Sequence, residues 1–356
     1  MNNTNIKSRA AGLNTPNRFE KLYIDYNDTE NLDYYPGDEG EKRISTTFYL
    51  DNSKSILAHN DSPDLGFDYS INPYRGCEHG CIYCYSRPSH EYLGFSAGLD
   101  FETKIMVKMD AAVLLEKAFM KKSWKPQPIM FSGDTDCYQP VERKLQLTRK
   151  CIEVFKKFKH PVGIVTKNAL VTRDIDLLSE MAKENLASVT ISITSLNRKL
   201  SRKLEPRTSV PLVRFDAVEK LAAAGIPVGV LVAPVIPGLT DEEIPAILKM
   251  ASEKGAIYAA HTIMRLPFAV KELFIDWLRR NYPEKESKII NRIKDVREGK
   301  LSNSDFGTRM SGKGKYAESV HRLFKLSCEK YGLNKKKVKI DYNKYTRNGI
   351  YQEELF

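Results

Sequence analysis

The sequence predicts an α/β fold built on a parallel sheet, and two patterns support this prediction. From about Phe67, short apolar stretches alternate with amphipathic ones, giving six strand candidates with helix candidates between them. Parallel neighbours need crossover connections, which are usually helical. Stretches such as 228–232 are continuously apolar, as expected for strands covered on both faces. Six strand–helix units favour a partial (β/α)6 barrel of the TIM type over a full eight, with a flat doubly wound sheet as the alternative.

The elements follow one another regularly along the chain. The predicted strands are 68–72, 128–132, 162–166, 188–193, 227–233 and 257–264. The predicted helices between them, each with one apolar face, are 111–120, 145–158, 174–183, 212–223 and 242–253. Beyond Pro267 the strand pattern ends, and helices are predicted over 268–281, 284–297 and 315–331.

This pattern divides the chain into three parts. Residues 1–65, punctuated by Asn, Asp, Gly and Pro, are predicted to form an irregular N-terminal extension. Residues 66–266 form the predicted barrel, and residues 267–356 a helical, basic C-terminal region. The net charge of +11 is concentrated there, because residues 266–356 alone carry +9. A polyanionic partner would be sought in this region, although a solvated lysine-rich surface explains the charge equally well.

Composition excludes several classes of protein. With 42% hydrophobic and 28% charged residues, the chain is neither disordered nor fibrous. Six cysteines in 356 residues are too few for a disulfide scaffold, which favours a reducing, cytoplasmic compartment. The polar N-terminus has no signal core. The most apolar stretch, 226–239, is interrupted by prolines and is shorter than the roughly 20 residues that span a bilayer, so no membrane association is expected.

The most informative feature is the run from Cys77 through Cys81 to Cys84, directly after the first predicted strand. Three thiols within eight residues can converge on one inorganic centre, either an iron–sulfur cluster or zinc. A structural zinc site normally takes four protein ligands, and the fourth could only be His79 or a more distant group. Three cysteines leave one iron of a [4Fe–4S] cluster open to a ligand. The remaining cysteines are widely spaced and predicted to be bystanders: Cys137, Cys151 and Cys328.

The spacing C-x3-C-x-aromatic-C, with Tyr83 as the aromatic residue, resembles the signature of the radical S-adenosylmethionine (SAM) superfamily. The chain is similar in particular to DNA repair photolyase-like proteins related to spore photoproduct lyase. The similarity extends over the segments Ser70-Ile71-Asn72-Pro73-Tyr74-Arg75-Gly76-Cys77, Phe131-Ser132-Gly133-Asp134-Thr135, Leu204-Glu205-Pro206-Arg207 and Phe306-Gly307-Thr308-Arg309-Met310.

This resemblance implies a cofactor pair. Cys77, Cys81 and Cys84 would bind a [4Fe–4S] cluster, and SAM would chelate the fourth iron. Reduction by a reductase, flavodoxin or ferredoxin would cleave SAM to methionine and a 5′-deoxyadenosyl radical that abstracts hydrogen. The hydrogen-donor cysteine of spore photoproduct lyase has no counterpart near Gly133, which counts against that particular activity.

The ends of the predicted strands supply candidate SAM contacts, because functional groups of such barrels lie at the carboxyl ends of the strands. Each candidate has an ordinary structural explanation as well: a strand-to-helix turn, a surface lysine, the strand preference of hydroxyl residues, or an ion pair between Arg207 and Glu205. By the resemblance, Lys167 would pair with the SAM carboxylate and Tyr83 would border the adenine. The candidates are Tyr83, Ser132, Gly133, Lys167, Ser192, Thr194 and Arg207.

Two hypotheses on function follow. The first is a radical SAM enzyme that acts on DNA or another nucleic acid as a lesion-repair lyase-like protein; modification of a protein or small molecule is its variant. The second is a non-catalytic iron–sulfur or zinc protein that binds nucleic acid. Three features bear on the partner. The first is the group of lysines 335–337 and 339, interleaved with Tyr331, Tyr342 and Tyr345. The second is the loop 311–315 before a helix. The third is the ending Gln352-Glu353-Glu354-Leu355-Phe356, which resembles a sliding-clamp peptide or is a frayed terminus.

Overall fold

The computed structural model describes residues 6–19 and 44–347. Its strands are β1 (Thr47–Leu50), β2 (Leu57–His59), β3 (Tyr69–Ile71), β4 (Tyr74–Arg75), β5 (Lys104–Val107), β6 (Ile129–Phe131), β7 (Val162–Thr166), β8 (Ala187–Ser192), β9 (Val228–Val235) and β10 (Tyr258–Ile263).

The helices of the described residues lie between and after these strands. They are α1 (Leu99–Thr103), α2 (Ala111–Met120), α3 (Glu142–Leu145), α4 (Leu147–Lys157), α5 (Ile175–Lys183), α6 (Arg198–Leu204), α7 (Pro211–Ala223), α8 (Ile244–Glu253), α9 (Val270–Asn281), α10 (Glu286–Asp295) and α11 (Gly314–Tyr331). None of them combines the length and apolar character that crossing a membrane requires.

The main sheet has the strand order β10-β9-β8-β7-β6-β3-β2. Six of these strands, β3 and β6 to β10, run parallel, and β2 joins β3 antiparallel at one edge. The predicted alternation of six strands with helices is therefore confirmed. The strands bury their side chains on both faces, since alternate residues of β8 and β9 point to opposite sides and most of them are buried.

The sheet is curved as a partial barrel. In a flat sheet, five strand spacings would separate β3 from β10 by about 24 Å. Instead, residues that follow these two strands are in contact. The ring centroid of Tyr85, in the segment after β3 and β4, lies 5.1 Å from the guanidinium carbon of Arg265, just after β10. A second contact joins the same two edges, because Arg309 pairs with Asp64 at 2.5 Å. The two edges of the sheet are thus bridged by loops, while their strands do not pair.

The expectation of an irregular N-terminal extension was incomplete. Residues expected to be irregular include β1 and β2, and β1 belongs to a second, three-stranded sheet of order β1-β5-β4. All four residues of β1 are exposed, so no alternation of apolar and polar residues marks it as a strand. Strand β1 forms because it pairs with β5, which lies more than 50 residues away in sequence.

A separate apolar cluster supports the cysteine segment. Ile82 and Tyr83 pack with Leu273 and Trp277 of α9, which are themselves buried. The indole of Trp277 donates to the backbone carbonyl of Lys203 at 2.9 Å. Helix α9 therefore positions the site although it follows the last strand of the barrel.

The end of the described chain runs beneath the barrel. The backbone amides of Asn334, Asp341 and Thr346 donate to carbonyls just before β10, β8 and β7. These carbonyls lie at the amino ends of the parallel strands. Residues 334–347 therefore lie at the end of the barrel opposite to the segment that follows β3.

Candidate metal centre and ligand pocket

The three cysteines lie on a tightly wound loop at the carboxyl end of β3. The amide of Cys77 donates to the carbonyl of Phe101 at 2.9 Å, that of Gly80 to Cys77 at 3.2 Å, and that of Cys84 to Cys81 at 3.2 Å. Cys77 and Cys81 are buried, Cys84 is half-buried, and all three are free thiols. Gly80 has φ +64°, and a Cβ there would lie 2.6 Å from a carboxylate oxygen of Glu102, so the turn requires glycine.

A buried arginine holds this loop from behind. Arg87 is fully buried and donates to the carbonyls of Gly80 (3.0 Å) and Cys81 (2.9 Å). It also pairs with Glu102 at 2.6 Å, where neither side chain is exposed. The loop conformation is therefore fixed by protein groups. Nothing in the local sequence pattern indicated this role for Arg87 or Glu102.

Glu102 also anchors the N-terminal segment 6–19. Its carboxylate accepts the amides of Ala10 at 3.3 Å and Ala11 at 3.0 Å. Arg9 donates to the Glu102 carbonyl at 2.8 Å. This part of the predicted N-terminal extension is thus packed against the support of the cysteine loop.

The thiols suit an iron–sulfur cluster. Burial raises the pKa of Cys77, and the negative charges of Asp136, Cys81 and Cys84 raise it further. Thiolates here therefore need a cationic centre to compensate their charge. Among the residues described, no three His, Cys, Asp or Glu side chains are grouped to hold a single metal ion. His79 instead contacts Asp136 (3.3 Å) and Asn168 (3.2 Å) through its two ring nitrogens.

Three of the predicted SAM contacts meet at the carboxyl ends of β7 and β8. The ammonium of Lys167 donates to the hydroxyls of Ser192 at 2.8 Å and Thr194 at 3.3 Å. It also donates to the carbonyl of Ala233 at 3.0 Å. The hydroxyl of Tyr83 lies 3.0 Å from that of Thr194. The structure thus brings Tyr83, from the cysteine loop, to these three side chains.

Two charged residues that sequence reasoning missed complete this group. Glu205 accepts hydrogen bonds from Tyr83, Thr194 and Arg214, and Lys167 lies 3.2 Å from it. Burial alone would raise the pKa of Glu205, but the charges of Arg214 and Lys167 outweigh it and hold the pKa below its ordinary value. Two cations and one carboxylate leave a net charge of +1. We call Tyr83, Lys167, Thr194, Glu205 and Arg214 the lysine pocket.

Arg207 does not join the lysine pocket, contrary to expectation. Its guanidinium pairs with Glu78 at 2.9 Å and donates to Thr46 at 3.1 Å, behind the cysteine loop. The ion pair with Glu205 that the sequence suggested is also wrong, because Glu205 binds Arg214 and Lys167. The turn at Pro206 directs the two neighbouring charges in different directions.

The predicted Ser132–Gly133 turn contacts the end of the cysteine loop. Ser132 has φ +68°, and its hydroxyl accepts the amide of Cys137 at 2.9 Å. The carbonyl of Gly133 accepts from the Tyr85 hydroxyl at 2.8 Å. A Cβ on Gly133 would lie 2.4 Å from that of Ser70, so no larger residue fits. This turn forms one wall beside Cys84.

The other cysteines lie elsewhere. Cys137, Cys151 and Cys328 are all buried in the main hydrophobic core, among the residues that pack the helices on the sheet. Burial raises the pKa of each of these thiols. Such thiols behave as small apolar side chains.

The C-terminal features expected to contact nucleic acid are arranged differently from what the sequence suggested. Tyr345 packs edge-on against Phe119 and His160, and its hydroxyl donates to the Phe119 carbonyl at 2.6 Å. In the loop before α11, the amides of Gly312 and Lys313 donate to protein carbonyls, and Lys313 pairs with Glu298 at 3.0 Å. The loop thus has fewer free groups for a phosphate than expected. Residues Gln352 to Phe356 lie outside the described residues, and no comparison supports a sliding clamp as their partner.

Comparisons with known proteins agree with this geometry. The model of the radical SAM superfamily matches residues 71–251, which include the cysteine loop and the lysine pocket. An uncharacterized protein of Mycobacterium tuberculosis (strain ATCC 25618 / H37Rv) is 35% identical over 226 residues, 63% of this chain and 66% of the relative. One of Methanocaldococcus jannaschii is 27% identical over 227 residues, covering 64% and 81%. The chain thus matches just under two thirds of the mycobacterial relative.

A solved structure shares the fold. Spore photoproduct lyase complexed with dinucleoside spore photoproduct superimposes with a TM-score of 0.54 at 18% identity, covering 80% of each chain. At this identity the likeness concerns the fold, and it agrees with the partial barrel described above.

Proposed function

The chain belongs to the radical SAM superfamily, and from this we propose that it is an enzyme in which Cys77, Cys81 and Cys84 bind a [4Fe–4S] cluster. The observation that carries the proposal is the cysteine loop itself: three buried thiols on a loop that Arg87 fixes at the carboxyl end of β3. Bound there, the cluster and SAM supply a 5′-deoxyadenosyl radical. The protein contributes binding, orientation and exclusion of water.

The lysine pocket is the proposed site for the amino-acid part of SAM. Its net charge of +1, in a place where Lys167 is 16% exposed and Glu205 1%, favours one carboxylate as ligand. Glu205 and the hydroxyls of Ser192 and Thr194 hold the Lys167 ammonium in place before the ligand arrives. The Tyr83 ring, whose centroid is 5.6 Å from that ammonium, forms the wall towards the cysteines.

A nucleic acid is the proposed substrate. Support comes from the shared fold with spore photoproduct lyase, a protein solved with a dinucleoside photoproduct, and from the cationic and aromatic side chains around Tyr85 and Arg265 at the barrel mouth. By the sequence resemblance, the donor cysteine of the lyase falls closer to Gly133 than to Cys137 of this chain. We therefore propose a reaction in which hydrogen returns to the product by a route other than a cysteine at this position. A protein or small molecule is the second candidate substrate.

The decisive experiment is anaerobic reconstitution with iron and sulfide, followed by reduction in the presence of SAM. We expect methionine and 5′-deoxyadenosine in equal amounts by liquid chromatography and mass spectrometry. A reconstituted cluster that binds SAM without cleaving it would identify a non-catalytic iron–sulfur protein instead.

Cysteine variants test the ligand assignment directly. Replacing Cys77, Cys81 or Cys84 by Ala should abolish the brown absorption of the cluster and its iron content, because each thiolate holds a different iron. Cys137→Ala, Cys151→Ala and Cys328→Ala are matched controls in the hydrophobic core and should retain both. Full iron content after loss of any of the first three would refute the assignment.

A further inference from the structure

One guanidinium, that of Arg265, lies at the mouth of the barrel. Among the residues that the structure describes, none forms an ion pair or hydrogen bond with Arg265, and the face of the Tyr85 ring lies 5.1 Å from it. Burial lowers the pKa of Arg265 and the charge of Arg309 lowers it further, while the negative charge of nearby Asp64 opposes this shift. Asp64 is already paired with Arg309, so two guanidiniums share one carboxylate and a positive charge is left over. This position is therefore suited to an anionic ligand.

Exposed aromatic rings lie on the segments that carry or neighbour this cation. Tyr92 is 74% exposed, Phe268 59%, Phe306 57% and Tyr85 47%. Single exposed apolar residues are normal on a surface, but Tyr92 stacks on the exposed ring of Phe19 at 4.7 Å and therefore belongs to an aromatic cluster. Phe268 also has φ +47°, an outlier for a bulky side chain and a sign of functional constraint.

The contacts place these residues together. Arg265 and Phe268 follow β10, and Arg18 lies 3.8 Å above the Phe268 ring while pairing with Glu91, the neighbour of Tyr92. In the segment before α11, the guanidinium of Arg309 lies 4.4 Å from the ring centroid of Phe306. We call Tyr85, Tyr92, Arg265, Phe268, Phe306 and Arg309 the arginine–aromatic lip.

The lip lies at the same end of the barrel as the cysteine loop. Tyr85 directly follows Cys84, and its hydroxyl is held by the Gly133 carbonyl at the end of β6. Arg265 comes two residues after the end of β10. A chain bound along the lip would therefore pass beside the proposed cluster.

We propose that the arginine–aromatic lip binds an unpaired, single-stranded segment of nucleic acid, with Arg265 on a phosphate and the exposed rings stacked on bases. The inference rests on the proposed function and specifies the form of its substrate. Interleaved arginines and exposed rings are the arrangement with which proteins bind single strands, since every base has a face to stack. Paired bases inside a duplex do not offer their faces to these rings.

The test is a fluorescence-anisotropy titration of a labelled oligothymidylate with the full chain at two salt concentrations. Arg265→Gln should weaken binding and reduce the salt slope by about one. The double variant Tyr92→Ala/Phe268→Ala changes only exposed side chains and should weaken binding roughly 30-fold or more, because two stacking rings are lost. The matched control replaces three exposed lysines at the opposite end, Lys335, Lys336 and Lys337, by Ala and should bind as the parent does.

Each other outcome overturns the proposal. Lip variants that bind as tightly as the parent, while the lysine variant loses affinity, would assign nucleic-acid binding to the C-terminal residues. Preference for a duplex of the same sequence, or for an acidic peptide over the oligonucleotide, would assign the lip to those ligands. The titration needs neither SAM nor an electron, so it fails or succeeds independently of the SAM cleavage assay.

Discussion

At the level of single residues, the charge balance of the lysine pocket determines which ligand it accepts. Glu205 neutralises one of the two cations, and the remaining positive charge is held on Lys167 and Arg214. Replacing Lys167 by Met leaves a neutral Glu205–Arg214 pair. Because a hydrogen bond to a charged group contributes about 1.5–3 kcal/mol, SAM should bind roughly 10- to 150-fold more weakly.

Anaerobic calorimetry or equilibrium dialysis of the reconstituted protein measures this effect. The matched control is Lys254→Met, which removes a surface lysine whose partner Glu219 is 56% exposed and should leave SAM affinity unchanged. Equal affinities for the two variants would place the SAM carboxylate elsewhere.

A buried histidine makes stability depend on pH. Burial lowers the pKa of His160 to about 4, and its ring stacks on Phe119 at 4.5 Å. The unfolded chain binds the proton near pH 6.5. The unfolded state therefore holds more protons between these values, and stability falls as pH drops from 6.5 towards 4, by about 2 kcal/mol from this group between pH 7 and pH 5.

Urea unfolding at pH 7 and pH 5 tests this sign and size. His160→Phe keeps an aromatic ring and should lose most of that 2 kcal/mol difference, whereas His59→Phe, on the exposed edge strand β2, should retain the parent's pH dependence. A parent-like pH dependence in His160→Phe would contradict the expectation.

At the level of elements, what the sequence could predict depended on local patterns. Strand β7 and helix α2 begin and end where their apolar patterns predict. Burial of a strand in the sheet, or of one face of a helix, gives a regular spacing of apolar residues in the sequence. The cysteine spacing is also a local pattern, and it predicts the proposed cluster ligands without the fold. Glu205 belongs to no such pattern: it meets Tyr83, which lies 122 residues away in sequence. The role of a residue whose partners are distant in sequence can be recognised only once the fold is known.

The N-terminal segment illustrates how such a partner can be tested. Glu102 joins Arg87 beneath the cysteine loop and accepts the amides of Ala10 and Ala11. Glu102→Gln leaves a buried guanidinium without its counter-charge, which should lower the free energy of unfolding by about 3–5 kcal/mol. It should also accelerate tryptic cleavage after Arg9.

Urea denaturation and a time course of limited proteolysis measure the two effects. Glu116→Gln, which removes the exposed ion pair with Lys157, serves as the control and should change neither. Unaltered proteolysis of Glu102→Gln would show that other contacts hold the N-terminal segment.

At the level of the whole molecule, the basic C-terminal residues and the proposed chemistry lie at opposite ends of the barrel. Asn334 pairs through its side chain with both backbone groups of Ala259 on the edge strand β10. Tyr345 and Thr346 continue this contact beneath α2 and β7. The chain end thus covers a sheet edge that would otherwise be free to pair with another molecule.

Deleting residues 334–356 should therefore destabilise the protein whether or not it binds nucleic acid. We expect the Tm to fall by roughly 5 °C or more, since about 1 kcal/mol corresponds to roughly 2–4 °C in a large domain, and the truncated chain to aggregate through β10. The triple replacement of Lys335, Lys336 and Lys337 by Ala removes exposed charge without these contacts and should melt within about a degree of the parent. Calorimetry and light scattering compare the two. If the truncated chain had the same Tm as the parent, residues 334–356 would not contribute to stability. Any loss of nucleic-acid binding on deletion could then be attributed to the loss of their positive charge.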